Sequence, residues 1–295
     1  MASRFVTAVL GLFLICCSVD LNAASIPSSR VPKLHSAAAI VQDQRTGEFL
    51  LSKKAETAMP IASITKLMTA MVVLDSKLDM DQVITIEEAD KDMLRHSRSH
   101  LPVGTQLTRR EALLIALMAS ENRAAHALGR TYPGGVSAVV RAMNEKARVL
   151  GLSETKFDDP TGLSDLNVSS AQDLSRLADI ACHYPQICAF STQPEVTLQY
   201  RRKRLRFVNT NTLVRNPRWQ IGLSKTGYIE EGGRCLVMQT LVAQRPVLIV
   251  LLNSTGKNTR FADAKRIKDW MENSGSPKKA KKPSTHRRTR RTRRV

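Results

Sequence analysis

The stretch at residues 63–78, SITKLMTAMVVLDSKL, decides the fold of this chain. Its apolar residues recur at helical spacing and surround the helix on nearly every side. A helix that is apolar all round is buried, so we expect this one to run through the core of a domain. Its first turn carries Ser63 and Lys66, which lie three positions apart and therefore on the same face.

A second polar motif follows the next predicted helix. The pattern Thr108-Arg109-Arg110-Glu111 is typical of a capping box at a helix start, and apolar residues continue to residue 119. Ser120 and Asn122 come directly afterwards. We expect Ser120 to relay a proton, and Asn122 to hold the Lys66 amine or the substrate backbone.

A third motif, Lys225-Thr226-Gly227, lies in a predicted strand at residues 221–228. Lys225 would be a second cation near Lys66, and Thr226 would line the wall of the cleft. Gly227 has no side chain, so it lets a substrate or another backbone segment come close.

Together the motifs supply the parts of a serine acyl-transferase that works without histidine. A serine hydroxyl is a poor nucleophile until a base removes its proton, and a lysine is a base only when it is neutral. Burial and a neighbouring cation both lower a lysine pKa, so the predicted core position of Lys66 suits that role. The negatively charged oxygen of the tetrahedral intermediate in acyl transfer, the oxyanion, needs two hydrogen-bond donors. The backbone N–H groups of Ser63 and Tyr228 are the candidates.

The order of elements indicates an α+β fold. Strand patterns stand near both ends of the chain, with helices between them and one more helix at residues 258–271. We expect one antiparallel sheet packed against a helical region. The predicted strands cover residues 37–43, 48–51, 204–208, 221–228, 235–242 and 247–252, and further predicted helices cover residues 137–150 and 170–182.

The motifs and their flanks resemble the low-molecular-mass penicillin-binding proteins of the D-Ala-D-Ala peptidase family. The flanks are PIASITKLMTA at 60–70, LMASENRAA at 117–125 and FDDPTGL at 157–163. The resemblance implies a penicilloyl-serine transferase fold over about residues 35–273. It also implies peptidoglycan stem peptides as substrates, β-lactam antibiotics as covalent inhibitors, and no cofactor or metal.

By match of motif, the resemblance assigns Ser63 as the acylated nucleophile and Lys66 as its base. The same match makes the other motif residues the walls of the cleft: Ser120, Asn122, Lys225, Thr226 and Gly227.

Four functions remain open at this point, and cleavage of D-alanyl cross-links by an endopeptidase is favoured. The family's carboxypeptidases usually carry a second β-rich domain and an amphipathic anchor, neither of which follows residue 274 here. A D-Ala-D-Ala carboxypeptidase is the first alternative. A class A-like β-lactamase would need a glutamate to activate water, but residues 158–163 read DDPTGL. A wall-binding protein without turnover is the last alternative.

The chain divides into four predicted segments. Residues 1–23 have a short basic start, an apolar run and small residues at the exit, which predicts a cleaved signal peptide and a periplasmic protein. A membrane anchor and a lipoprotein signal ending at Cys17 are weaker interpretations of this segment. A leader at 24–34, a catalytic domain at 35–274 and a basic tail at 275–295 complete the chain.

The tail carries much of the charge. Ten of its residues are lysine or arginine, it has no acid, and the whole chain has a net charge of +19. With almost no apolar residue the tail cannot fold alone. An anionic envelope polymer or lipid head groups are its expected partners, and no nucleic acid is expected for a secreted chain. A solvated tail without a specific partner is equally open.

Cysteines and histidines indicate no further chemistry. Cys182 and Cys188 are close enough in sequence to form a disulfide, and buried free thiols are equally compatible with the pattern. His96 and His100 have a spacing that a metal would accept, but they lie in a polar, arginine-rich stretch that indicates a solvated loop.

Overall fold

The computed structural model describes residues 31–274. Within them the strands are β1 Ser36–Asp43, β2 Phe49–Lys53, β3 Met59–Pro60, β4 Val83–Thr85, β5 Gln106–Thr108, β6 Val168–Ser169, β7 Glu195–Tyr200, β8 Lys203–Val208, β9 Ile221–Ile229, β10 Gly233–Val242 and β11 Arg245–Ser254. The α-helices are α1 Lys66–Asp75, α2 Arg109–Met118, α3 Asn122–Arg130, α4 Gly135–Val149, α5 Ala171–Ala181, α6 Pro185–Thr192 and α7 Thr259–Ser274. Short 3-10 helices cover Ala62–Thr65, Glu88–Asp90 and Thr212–Arg215.

A five-stranded sheet in the order β2-β1-β11-β10-β9 organises the molecule. All of its neighbouring strands are antiparallel, and β9 forms one edge. The late strands read as continuous apolar runs because both faces of the sheet are covered. Alternate residues of β11 enter two different cores: Leu248, Val250 and Leu252 on one face, and Val247, Ile249 and Leu251 on the other.

The larger core lies between the sheet and the helical region, and α1 runs through it. Eight of the ten residues of α1 are buried, as its all-round apolar pattern predicts. On the opposite face α7 covers the sheet with Ala264, Ile267 and Met271. The fold is therefore α+β, with an antiparallel sheet packed against helices, as the sequence predicted.

Local signals predicted several helix ends correctly. At the start of α2 the Glu111 N–H donates to Thr108 Oγ1 at 3.1 Å, and the Thr108 N–H donates to Glu111 Oε2 at 2.8 Å. Both halves of the predicted capping box are therefore present. Gly151 follows α4 with a φ of +65°, the left-handed conformation in which a glycine commonly ends a helix.

The predicted helix at residues 63–78 begins differently from expectation. Ser63 lies in the 3-10 helix Ala62–Thr65, and the α-helix proper starts at Lys66. The residue before Ser63, Ala62, has a φ of +48°, which lies outside the helical region. The α-helix ends at Asp75, three residues before the predicted end. The prediction also missed α3, α6, strand β7 and the short strands β3 to β6.

The predicted signal peptide, most of the leader and the basic tail lie outside the described residues. Between residues 31 and 274, no helix is both long enough and apolar enough to cross a membrane. Cys182, Cys188 and Cys235 are free thiols in the structure, and the Cys188 Sγ donates to the Cys182 carbonyl at 3.2 Å. Cys182 and Cys188 are therefore free thiols in this structure and do not form a disulfide.

Candidate active site

The three polar motifs meet at the β9 edge of the sheet. The 3-10 helix that carries Ser63 packs against β9, which carries Lys225, and the turn between α2 and α3 brings Ser120 and Asn122 to the same place. Residues separated by more than a hundred positions are thereby within hydrogen-bonding distance of one another.

The Lys66 amine lies at the centre of this cluster. Its Nζ is 2.8 Å from Ser63 Oγ, 2.8 Å from Asn122 Oδ1 and 2.6 Å from the carbonyl oxygen of Thr161. The side chain is buried, with only 1% of its surface exposed. Asn122 is oriented by its own amide, whose Nδ2 donates to Ser97 Oγ at 2.9 Å.

Burial changes the protonation of Lys66. Because the charged amine loses its water, its pKa falls from 10.5 to about 7. The negative charges of Asp159, Glu121 and Asp92 oppose this shift and keep the pKa from falling further. A lysine with a pKa near 7 is substantially neutral at physiological pH, so this amine can both accept and donate a proton.

Lys225 forms a second buried pair with Ser120. Its Nζ donates to Ser120 Oγ at 2.8 Å and to the carbonyl of Thr226 at 2.9 Å. Burial lowers the Lys225 pKa well below its usual value, and the positive charges of Lys66 and Arg260 lower it further. Ser120 itself has a φ of +60°, an uncommon conformation for a residue with a side chain.

Strand β9 approaches the Ser63 backbone closely at Gly227. A Cβ atom at this position would lie 2.8 Å from the carbonyl oxygen of Ile61 and 3.2 Å from the Ser63 nitrogen. Next to it Thr226 Oγ1 bonds Thr210 Oγ1 at 2.6 Å. The side chain of Tyr228 is 55% exposed and stacks on the guanidinium of Arg234, so only its backbone belongs to the cleft wall.

These observations agree with comparisons to known proteins. Residues 25–256 match the family model described as D-alanyl-D-alanine carboxypeptidase. The chain belongs to this family. It is 46% identical over 277 residues to a D-alanyl-D-alanine endopeptidase of Pseudomonas aeruginosa, covering 92% of this chain and 89% of that protein. It is 41% identical to a D-alanyl-D-alanine endopeptidase of Escherichia coli, covering 86% and 83%.

A solved structure of the family has the same fold. The crystal structure of a Streptomyces DD-transpeptidase superposes with a TM-score of 0.75 at 28% identity, covering 81% of this chain and 98% of that one. The penicilloyl-serine transferase fold that the motifs predicted is therefore confirmed. The chain is a hydrolase of the D-Ala-D-Ala peptidase type, and its nearer relatives carry the endopeptidase name while more distant ones are named carboxypeptidases.

The structure adds one loop that the sequence had not identified as part of the site. In the segment at residues 158–167, the Asp159 carboxylate accepts hydrogen bonds from several donors. They are Thr161 N and Oγ1 at 2.5 Å, Gly162 N and Ser164 N at 2.7 Å, and Asn167 Nδ2 at 2.7 Å. This network holds the Thr161 carbonyl against the Lys66 amine. The only sequence signal was the DDPTGL stretch in the family resemblance.

Other contributors also gave no sequence signal. Ser97 and Thr210 lie in loops outside the motifs, yet each bonds a motif residue. Arg260, at the start of α7, is buried, and burial together with the charge of Arg234 lowers its pKa to about 10. Its Nε has no hydrogen-bond partner among the described residues.

The candidate metal ligands do not come together. Within residues 31–274 there is no group of three or more His, Cys, Asp or Glu side chains that could hold a metal ion. His96 and His100 are exposed, and the His100 ring packs edge-on against Phe207 with centroids 6.4 Å apart.

A methyl group at Gly162 should displace Ser63. The new Cβ would lie 2.0 Å from the Ala62 carbonyl oxygen and 2.8 Å from the Ser63 nitrogen. Since a shift of about 1 Å in a catalytic site can cost about a hundredfold, we expect Gly162→Ala to slow acylation by penicillin to about that extent. Stopped-flow or quench measurements of acylation check this.

The matched control for that variant is Gly47→Ala. Gly47 has a similar φ of +76°, but a Cβ atom added there would meet no other atom within 4 Å. Left-handed backbone strain should cost both variants about 1–2 kcal/mol of stability. The contact with the Ala62 backbone adds a further loss in Gly162→Ala only. Equal acylation rates in the two variants would show that the contact with Ala62 does not position Ser63.

Asp159 should set the pH at which the site becomes active. Its negative charge favours the protonated form of Lys66, so Asp159→Asn removes an interaction that raises the Lys66 pKa. Acylation in the wild type should rise with pH through about 7, as Lys66 becomes neutral. In the variant the midpoint should move to lower pH.

The control is Asp158→Asn, which neutralises the exposed neighbouring carboxylate in the same loop. The midpoint of its pH profile for acylation should equal that of the wild type. The measurement is kcat/KM for acylation between roughly pH 5 and pH 9. A midpoint in Asp159→Asn that does not move would exclude Asp159 as a determinant of the Lys66 pKa.

Proposed function

We propose that this protein is a serine D-alanyl-D-alanine endopeptidase that cleaves cross-links between peptidoglycan stem peptides through an acyl-enzyme on Ser63. The observation that carries the proposal is the buried Lys66 amine, with a pKa of about 7, at 2.8 Å from Ser63 Oγ. The endopeptidase names of the relatives at 46% and 41% identity support the choice of reaction.

Lys66 is the general base in the first step. When neutral, its two N–H bonds can point to Asn122 Oδ1 and the Thr161 carbonyl, which are acceptors only, and its lone pair then faces the Ser63 hydroxyl. Ser63 loses its proton to Lys66 and attacks the D-Ala carbonyl carbon. The backbone N–H groups of Ser63 and Tyr228 receive the oxyanion.

Ser120 and Lys225 serve the leaving group. The tetrahedral intermediate collapses when the amine of the neighbouring stem peptide is protonated and leaves. Ser120 Oγ, hydrogen-bonded to Lys225 Nζ at 2.8 Å, passes its proton to this amine and takes the proton that Lys66 received from Ser63, so Lys66 is neutral again. Water then attacks the acyl-enzyme carbonyl and gives a proton to Lys66. Lys66 returns this proton to Ser63 Oγ as the acyl bond breaks.

Buried hydrogen-bond donors in the cleft suit an anionic substrate group. Lys225 and Arg260 are buried on the β9 side and interact electrostatically, and the Arg260 Nε lacks a partner among the described residues. A free carboxylate beside the scissile bond would satisfy these donors. Thr226 and Gly227 line the path along β9 to that position.

The alternatives differ in what they need from the site. A carboxypeptidase would use the same residues and differ only in the leaving group. A class A-like β-lactamase needs a free carboxylate for its water, but the Asp159 carboxylate is occupied by the donors of its own loop. A binding protein without turnover has no need for a lysine buried against a serine.

The test is a product analysis with two substrates. The mature protein is incubated with a cross-linked muropeptide dimer and with a pentapeptide monomer. Dimer falling to monomers, blocked by penicillin and absent in Ser63→Ala, supports the endopeptidase. Loss of only the terminal D-Ala from the monomer would make the protein a carboxypeptidase, and no product from either would favour the wall-binding alternative.

The proposed location is the periplasm, from the predicted signal peptide. We place the basic tail against an anionic envelope polymer or lipid head groups. Removal of residues 276–295 should weaken binding to isolated wall most at low salt, because attraction between exposed charges is screened over about 10 Å at 0.1 M salt. Binding that does not change with the deletion or with salt would reject this role; sedimentation of the protein with purified sacculi measures it.

A further inference from the structure

The β7–β8 hairpin stands outside the main sheet and carries a cluster of cations at its tip. Its own acid, Glu195, pairs with Arg206 near the open end. At the tip the sequence reads YRRKR at 200–204, and its four cations are all exposed. Within residues 31–274 none of these four cations forms a salt bridge, although the Arg201 guanidinium stacks on the Tyr200 ring at 5.3 Å.

This tip forms one wall of a groove. A cavity of about 670 Å³ lies between the hairpin and the loop that precedes β5, and we call it the hairpin groove; its lining residues are Pro102, Val103, Tyr200, Arg201, Arg202 and Lys203. The Tyr200 hydroxyl donates to the Val103 carbonyl at 3.4 Å, and His100 packs on Phe207. These contacts hold the two walls together.

Both walls of the groove lead directly to the candidate active site. On the loop side, Ser97 accepts from Asn122 and Ser99 donates to Glu121 at 2.6 Å. On the hairpin side the chain leaves β8 and reaches Thr210, which bonds Thr226 of the third motif. The two walls of the groove are thus anchored, through short chain segments, to residues of the candidate site.

We propose that the hairpin groove binds the carboxylate-bearing stem peptide that extends beyond the scissile bond of a cross-linked substrate. This inference rests on the proposed endopeptidase function and names a second binding site for its substrate. Arginine forks pair with carboxylates in a bidentate geometry, and three cations line the groove. Pro102, Val103 and Tyr200 supply an apolar surface for the alkyl parts of the peptide.

The distance from the candidate site to the hairpin groove suits a long substrate. From Thr210 to Lys203 an extended chain covers about 20–25 Å. A cross-linked peptide is long enough to occupy both the cleft and the groove, whereas a small penicillin fills the cleft alone. The cations line a concave space rather than a convex tip, which favours a peptide over the flat surface of a membrane.

The experiment neutralises the groove and compares long with short ligands. The variant is Arg201→Gln/Arg202→Gln/Lys203→Gln, and its control is Arg141→Gln/Arg215→Gln/Arg218→Gln, which removes three exposed cations elsewhere. With a muropeptide dimer, the groove variant should raise KM by about tenfold at low salt with little change in kcat. The control variant should match the wild type.

Two further substrates isolate the chemistry. Acylation of Ser63 by a small penicillin should have the same rate in both triple variants. A dimer amidated only on the stem peptide that extends beyond the scissile bond, with the carboxylate beside that bond left free, should bind the wild type as weakly as the unmodified dimer binds the groove variant. Thermal unfolding confirms that the exposed substitutions leave the fold intact.

Binding measured without cleavage separates this inference from the proposed function. Calorimetry with the dimer and Ser63→Ala protein, with and without the groove substitutions, should show about a tenfold difference in Kd. Equal Kd values for the two proteins would contradict peptide binding in the hairpin groove, even if the wild type cleaves dimers. If the wild type cleaves no dimer, the proposed endopeptidase function is wrong. The comparison of Kd values still shows whether the hairpin groove binds the stem peptide. Loss of binding to phosphatidylglycerol vesicles with an unchanged dimer Kd would reassign the groove to lipid.

Discussion

Ser63→Ala should abolish both penicillin acylation and cross-link cleavage. The hydroxyl is the group to which the Lys66 amine is hydrogen-bonded, and a methyl group can form no acyl-enzyme. Loss of the nucleophile should lower turnover by on the order of 10⁴-fold or more. The Lys66 amine would keep Asn122 and Thr161 as partners, so the fold should survive.

Intact-protein mass spectrometry is the direct measurement. The wild type should gain the mass of one penicillin and release it slowly, because the Asp159 carboxylate is occupied by donors of its own loop and is not free to activate a deacylating water. Ser63→Ala should gain nothing. Ser52→Ala is the control, since Ser52 is exposed on β2 at the opposite edge of the sheet. Acylation of Ser63→Ala, or rapid repeated hydrolysis of penicillin by the wild type, would contradict the mechanism.

Lys66→Ala should have the second-largest effect. It removes the proposed base and leaves the Asn122 and Thr161 oxygens without their donor, so acylation should slow by on the order of a hundredfold or more. The pH dependence that reflects a pKa of about 7 should disappear with the amine. Acylation rates across pH, with and without added methylamine to occupy the space left by the side chain, measure both effects.

A matched control distinguishes loss of the proposed base from loss of a lysine that donates to backbone carbonyls. Lys53 also donates to two backbone carbonyls, those of Leu34 and Ser36 at 2.9 Å and 2.6 Å, but it lies on β2 away from the cleft. Lys53→Ala should lower the unfolding temperature and leave acylation unchanged. Near wild-type acylation in Lys66→Ala would mean that another group, of which Lys225 is the nearest candidate, serves as the base.

The elements that the sequence predicted are those with strong local signals. Helix α1 was predicted because its apolar residues continue around the helix, and α2 because its capping box is formed by four consecutive residues. Helix α3 was missed because its cap is Glu121, a residue inside the second motif. Strand β7 was missed because it pairs only with β8 outside the main sheet, so half of its residues stay exposed.

The candidate site divides in the same way. Serine, lysine and asparagine side chains in short motifs can be found in a sequence, and the structure brings them within hydrogen-bonding distance. The Thr161 carbonyl could not be found, since every residue has a carbonyl and this one reaches Lys66 from 95 positions away. Ser97, Thr210 and Arg260 are ordinary loop or helix residues until folding places them beside the motifs.

The sequence by itself determined which chemical groups are available. They are Ser63 with Lys66 one turn away, a second serine, Ser120, with Asn122 two residues on, and Lys225 on a late strand. Only the tertiary structure decided how those groups behave. Burial beneath the sheet edge lowers the Lys66 pKa to about 7, and the loop anchored by Asp159 points a carbonyl at its amine. Desolvation and long-range contacts depend on the whole fold, so no local pattern of residues can specify them.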